Sequence, residues 1–309
     1  MISLAIVGVG HAARELHWPA LKRSKRIKVV ATCDAHTDRA SSLGIAPKQF
    51  GAILDDPRIH AVAILTPPDS HGDLVRLASA AGKHVFVEKP LVATRGDLVR
   101  IRRAAEGAQG IMAAGHNMRC HRLSRMAKNA IESQRIGKII GLHLNWTHDI
   151  KESNSDISLD IGVHHVDLIH WLFDAKIATI RALRMSHSLS VVGATTSGIP
   201  FTCYWSKESI ARHTAQIIGT KGIIEFSFMQ ANSWREYGAE SLGVRGQLKS
   251  LSQGLSQTGV LVNNLAGGGD WHLSYEEEWD RFAESIENGA PVACSVEDAA
   301  TAVEICLGL

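Results

Sequence analysis

Six residues near the start of the chain, Gly8-Val9-Gly10-His11-Ala12-Ala13, constrain the fold more than any other stretch. They follow a short apolar strand pattern, Leu4–Val7, and lead directly into a helical pattern, Ala12–Arg23. A strand that turns this tightly into a helix needs glycine where the backbone reverses and again where a ligand approaches the main chain. A small residue such as Ala13 then lets the helix lie close on the sheet. The N-terminus of that helix presents unpaired N–H groups and the positive end of a dipole, which suits a pyrophosphate. Gly8, Gly10, His11 and Ala12 are therefore expected to line a dinucleotide. Asp34 closes the next strand pattern, Val29–Cys33, at the spacing of an acid that binds the adenosine ribose hydroxyls. A carboxylate there repels a 2′-phosphate, so NAD is expected, with NADP as the alternative because His36 and Arg39 lie close by. The competing reading of Asp34 is a helix cap near Thr37.

The alternation continues. Ala61–Leu65, Val85–Val87 and Ile111–Ala114 are short Val- and Ile-rich runs without polar alternation, as in strands covered on both faces. Helical patterns at Thr37–Leu43, Ser70–Ala81 and Arg95–Glu106 separate them. Strand–helix alternation implies right-handed βαβ units, so the fold class is α/β. Residues 1–120 are expected to form a Rossmann dinucleotide-binding domain, a parallel sheet with helices on both faces. Beyond it the texture changes. A helix at His121–Ser133, a strand at Lys138–Trp146 and a helix at Asp160–Leu172 precede five β-like segments: Ile177–Met185, Ser190–Thr195, Phe201–Trp205, Ala211–Ile218 and Gly222–Phe228. Their polar alternation predicts an open antiparallel sheet. Gly238–Gly269 reads as a long loop, and helices at Tyr275–Asn288 and Val296–Leu307 follow. Residues 121–309 are thus expected to be an α+β domain for substrate binding and oligomerisation.

Charge narrows the function. The chain has 309 residues, with 33 basic against 31 acidic side chains and a net charge of +2. No basic stripe points to nucleic acid, and no apolar run has the length to span a bilayer. The five cysteines, Cys33, Cys120, Cys203, Cys294 and Cys306, form no CxxC pair, so neither a disulfide framework nor a metal site is expected. With no leader pattern at the N-terminus, the expected location is the cytoplasm.

Three further motifs make the sequence recognisable: Leu65-Thr66-Pro67-Pro68-Asp69-Ser70-His71, Lys83-His84-Val85-Phe86-Val87-Glu88-Lys89-Pro90 and Asp160-Ile161-Gly162-Val163-His164. Together with Gly219-Thr220-Lys221-Gly222 they resemble the Gfo/Idh/MocA family of oxidoreductases over nearly the whole chain, Glu88-Lys89-Pro90 being the most specific element. The resemblance implies that Lys89 sits beside the nicotinamide and the substrate oxygen, and that Asp160 and His164 line the same site. It implies cofactor contacts for Leu65, Thr66, Pro67, His71, Glu88 and Asn117. It also implies a homodimer or homotetramer.

The residue chemistry agrees. Oxidising an alcohol removes a hydride from carbon and a proton from oxygen, and the proton needs a base within hydrogen-bond reach. A histidine's unperturbed pKa lies near neutrality, which suits His164 to this role. Asp160, four residues earlier, shares its helix face and could orient the imidazole. Lys89 either stabilises the alkoxide or is itself the acid/base. Arg119, Arg122, Trp146 and His148 are candidate substrate contacts. Where relatives carry a longer glycine-rich loop before the Asp160 helix, this chain has the short segment Lys151–Leu159. The expected function is hydride transfer between NAD(H) and the hydroxyl or carbonyl carbon of a sugar, polyol or sugar derivative, as a dehydrogenase of carbohydrate metabolism. The alternatives are a glycoside hydrolase that uses NAD transiently and a non-catalytic NAD-binding regulator.

Overall fold

The apolar runs of the first part become a five-stranded, all-parallel sheet: β1 (Ile2–Val7), β2 (Ile27–Cys33), β3 (Ala61–Ile64), β4 (His84–Glu88) and β5 (Met112–Gly115), in the order β2-β1-β3-β4-β5. Every residue of β3 is buried, as a strand covered on both faces requires. Beyond β2 the sheet continues, among the described residues, as a single parallel bridge, Thr32–Pro47. The order reverses between β1 and β3, and ligands of open α/β sheets bind at the carboxyl ends of strands at such a point. The connecting helices are α1 (Trp18–Arg23, continuing a π-helical stretch Ala12–His17), α2 (Thr37–Ser41), α3 (Phe50–Asp55), α4 (His71–Ala80) and α5 (Arg95–Glu106). The structure, a computed structural model, describes residues 1–150, 155–230, 233–239 and 268–309, with a few single positions between 243 and 253.

After α6 (Arg122–Glu132), strand β6 (Ile139–Asp149) and α7 (Val163–Phe173), the chain forms β7 (Ile177–Arg184), β8 (Ser188–Thr195), β9 (Pro200–Ser206), β10 (Glu208–Gly219), β11 (Gly222–Ser227) and β12 (Arg235–Gly238). These strands make one seven-stranded sheet, β12-β11-β10-β6-β9-β8-β7. The expected antiparallel sheet is corrected in one respect: β6 and β9 pair in parallel, so the sheet is mixed. The two central strands meet through long connections rather than a hairpin, which leaves their relative direction free. Register places Leu189, Trp205, Trp146 and His213 in one row across the sheet. Gly162, at the entrance to α7, lies against this row: a Cβ there would stand 2.6 Å from the Trp205 ring.

Two last helices, α8 (Gly269–Asn288) and α9 (Val296–Cys306), end the chain. Ser295 and Asp298 cap α9 reciprocally, a capping box that satisfies two otherwise unpaired N–H groups. The compact units are 1–120 with 274–308, and 121–273 with the final residue. Residues 274–308 therefore differ from the expected 121–309 grouping and belong with the parallel sheet. The reason is visible in their partners: Arg26 pairs with Glu284 and Glu287, Arg102 with Glu297 and Glu304, and Ala114 N–H donates to Cys294. The expected loop Gly238–Gly269 lies almost entirely outside the described residues. Among the described residues no helix is long and apolar enough to cross a membrane.

Candidate functional site

In the first unit, the turn after β1 is built for close approach. Gly8 has φ of +89°, and a Cβ on it would stand 2.7 Å from the main chain of Leu65 and Thr66. The turns after β1 and β3 therefore touch. Gly10 is the opposite case: nothing in the protein lies within 4 Å of where its Cβ would be. Its backbone faces open space at the head of the helix, the cradle a pyrophosphate needs. Asp34 closes this turn from the second strand. One carboxylate oxygen accepts Val9 N–H at 2.7 Å, and the other accepts His36 N–H at 2.8 Å. It does not cap α2, whose N-cap is His36. Each oxygen keeps a lone pair for a ribose hydroxyl. These residues fit NAD.

The Glu88-Lys89-Pro90 segment ends β4. Glu88 is buried and accepts from His17 at 2.9 Å and from Lys89 N–H. Burial raises its carboxyl pKa, but the hydrogen bond and charge of His17, with the charge of Lys89, outweigh that and hold it below the ordinary range. Glu88 thereby fixes the main chain on which Lys89 is carried. His71 does the same from the other side. Its Nε2 meets Thr66 O at 2.8 Å, and its Nδ1 meets Leu91 O at 3.1 Å, so one imidazole joins the Thr66-Pro67 turn to the residues after Pro90. Burial depresses its pKa. Asn117 is buried and its amide donates to Ser274 at 2.9 Å. Leu65 and Thr66 form the turn that follows β3.

In the second unit, α7 opens with a π-helical turn, Ser158–Gly162, in place of the regular α-helix expected from Asp160. Such turns recur at functional sites. His164 is 3% exposed and its ring centroid lies 5.1 Å from that of Trp146. Trp146 in turn stacks on His213 at 3.9 Å. Behind them is a chain of buried rings. The Trp205 indole N–H donates to His165 Nδ1 at 2.8 Å, and His165 Nε2 meets His213 Nε2 at 2.9 Å. An indole only donates, so the His165 proton must sit on Nε2 and point at His213. Burial pushes the His165 pKa down to about 3 and that of His213 well below its ordinary value. Both rings are neutral in the fold.

This has a consequence for stability. The unfolded imidazole takes up a proton below about pH 6.5, whereas the folded His165 refuses one down to about pH 3. Stability is therefore full above the unfolded pKa and falls as pH drops into that window. The melting temperature is expected to fall on acidification from neutrality to about pH 4.5, and His165→Gln is expected to shrink that fall. An equal fall in the variant would contradict the neutral, buried assignment.

Arg119, Arg122 and His148 were expected near substrate. Arg119 is instead buried, donating to Ala293 O and pairing with Asp298 at 3.1 Å, a tie within the first unit that corrects the substrate-contact reading. Arg122 makes a bidentate pair with Asp270, at 2.9 and 2.7 Å, which ties α6 to the start of α8. His148 lies one alternation beyond Trp146 on β6, and its buried Nδ1 has no hydrogen-bond partner among the described residues. Sequence reasoning missed His17, the partner of Glu88, and Lys207, which approaches Asp160 to 3.5 Å. Neither stands in a motif. His17 was findable only as a polar residue on the buried stripe of its helix.

Known proteins resemble this chain in sequence and in fold. Residues 2–116 match a family model described as "Oxidoreductase family, NAD-binding Rossmann fold", and residues 124–225 match one described as "GFO/IDH/MocA C-terminal domain". Myo-inositol 2-dehydrogenase of Thermotoga maritima is 24% identical over 96% of this chain and 91% of its own length. A scyllo-inositol 2-dehydrogenase (NAD(+)) of Bacillus subtilis is 32% identical over 41% of this chain and 39% of its own. The crystal structure of myo-inositol 2-dehydrogenase from Lactobacillus plantarum superposes with a TM-score of 0.79 at 18% identity, covering 99% of this chain and 95% of that one.

Proposed function

The chain belongs to the Gfo/Idh/MocA family of NAD-binding oxidoreductases, and on that footing we propose that it transfers hydride between NAD(H) and a CH–OH carbon of a polyol or sugar. The observation that carries this reading is the first unit's glycine turn: open backbone at Gly10, beside a Val9 N–H that donates to Asp34. The inositol dehydrogenases among the relatives support the substrate class.

Bound NAD supplies the hydride acceptor. In our reading the chain's own residues manage the proton. His164 takes the hydroxyl proton, Asp160 orients the imidazole and balances its charge, and the Lys89 ammonium stabilises the developing alkoxide. Gly8, Gly10, His11 and Ala12 would hold the pyrophosphate and Asp34 the adenosine ribose. Thr66, Pro67 and Glu88 would border the nicotinamide end. Trp146 and His148 would contact substrate. We further place the protein in the cytoplasm as a homodimer or homotetramer. The exposed side chains Leu183, Val192 and Tyr204 of the seven-stranded sheet, with Met185 in the turn after β7, would supply the apolar contact. A single-chain mass by light scattering would contradict that assembly.

The test follows the hydrogen. With an alcohol deuterated at the reacting carbon, mass spectrometry is expected to find deuterium in accumulating NADH. Label that returns to the product without net NADH would instead indicate transient oxidation, and label that stays in the alcohol would sink the proposal. Cofactor choice is tested separately. Asp34→Ser is expected to weaken NAD binding by about tenfold, the worth of one charge-assisted hydrogen-bonding group, and to narrow the gap to NADP. Unchanged affinity for both would remove Asp34 from the site.

A further inference from the structure

A lysine that no motif marks lies beside Asp160 in the second unit. Lys207 stands between β9 and β10, and only 4% of it is exposed. Its main chain is held on both sides: its N–H donates to His187 O at 2.9 Å, and its carbonyl accepts Ile150 N–H at 2.9 Å. The ammonium donates to the Ser155 carbonyl at 2.5 Å and to the Ser155 hydroxyl at 2.8 Å, and it lies 3.5 Å from Asp160 Oδ2. The Ser155 hydroxyl donates onward to that same oxygen at 2.8 Å. Ammonium, hydroxyl and carboxylate thus form a closed triangle in which every proton points from cation toward anion. Burying an ammonium is costly unless it is paired, and an apolar side chain would fill the place at less cost. The feature that singles out lysine here is the carboxylate it serves.

We propose that Lys207 is a positioning residue for the reaction, keeping Asp160 ionised and fixed at the entrance to α7. The proposal rests on the roles given to Asp160 and His164 above. Lys207 has no need to touch substrate: it acts through Asp160. The surrounding charges are consistent with this division of labour. Asp156 is engaged by Arg184 at 3.1 Å, which leaves Lys207 to Asp160, and Glu208 adjoins Lys207 at the start of β10.

Removing a cation makes every neighbouring group easier to protonate. An opposite charge within ~4–6 Å lowers a carboxylate pKa by about 1–3 units. Lys207→Met is therefore expected to raise the Asp160 titration midpoint by about 1–3 pH units, read by carboxylate-carbon NMR with Asp160→Asn for assignment. The acid limb of kcat/KM is expected to move to higher pH as well, with KM for NAD unchanged. Lys207→Arg restores a cation and is expected to return both to their wild-type positions. A purely structural lysine would lower the melting temperature in the variants and leave the midpoint where it was, and that result overturns the proposal whether or not the protein turns over. The two readings fail separately. A midpoint that moves as expected, in a protein that reduces no NAD with any alcohol, upholds the pairing and overturns the function.

Discussion

Replacing Lys89 with alanine is expected to leave NAD affinity near the wild-type value and to cut turnover by roughly 10²–10⁴-fold. The two halves of this expectation have separate structural grounds. Affinity rests on the Gly8–Gly10 turn and Asp34, which follow β1 and β2 and keep their hydrogen bonds without the Lys89 side chain. The main chain at Lys89 is held by Glu88 accepting its N–H, and Glu88 is held by His17, so truncation beyond Cβ does not release the segment. What disappears is an ammonium. A preorganised positive charge at a developing alkoxide acts in the transition state far more than in the ground state, so its loss falls on kcat rather than on binding. Steady-state kinetics beside a direct NAD titration separates the two. Normal turnover in the variant would remove Lys89 from the chemistry. A joint loss of binding and turnover would make it a cofactor-holding residue instead.

Gly8→Ala is expected to abolish usable NAD binding and to destabilise the fold. At φ of +89° an L-residue pays roughly 1–2 kcal/mol in backbone strain. The added methyl would also stand 2.7 Å from main-chain atoms of Leu65 and Thr66, which cannot swing aside as a side chain could. The turns after β1 and β3 must then separate, and both are assigned to the cofactor. A cost of a few kcal/mol lowers affinity by more than tenfold. Gly10→Ala supplies the contrast. Its methyl meets no protein atom, so the melting temperature is expected to hold while NAD affinity falls. If the Gly10 variant bound NAD normally, the open ground at Gly10 would not be the pyrophosphate cradle.

Much of this is legible in the sequence. The strands of the parallel sheet announced themselves as short Val- and Ile-rich runs, because burial on both faces leaves no polar positions. The glycine turn was legible because only glycine tolerates what Gly8 does. Three features were not. The helix Phe50–Asp55 is too short for a periodic signal and contains Gly51. The parallel pairing of β6 with β9 leaves no trace in either strand, since alternation reports which side is buried and not which direction the neighbour runs. The return of residues 274–308 to the first unit was invisible for a related reason: an amphipathic helix declares that it needs a partner without saying which. Among the site residues, Asp34 and Glu88 stand in motifs, whereas Lys207 acquires its meaning only when the fold carries it to Ser155 and Asp160. Arg119 shows the converse error. A guanidinium beside a cofactor motif suggests an anionic ligand, and the fold had already given it Asp298.

Hydride transfer to NAD is read directly from the near-ultraviolet absorbance of reduced nicotinamide, followed with purified protein, NAD and a panel of inositols, other polyols, sugars and amino sugars. A sustained rise is expected with at least one polyol or sugar, and Lys89→Ala is expected to abolish it. A protein that binds NAD and gives no rise with any member of the panel, or one whose rise survives in Lys89→Ala, would contradict this expectation.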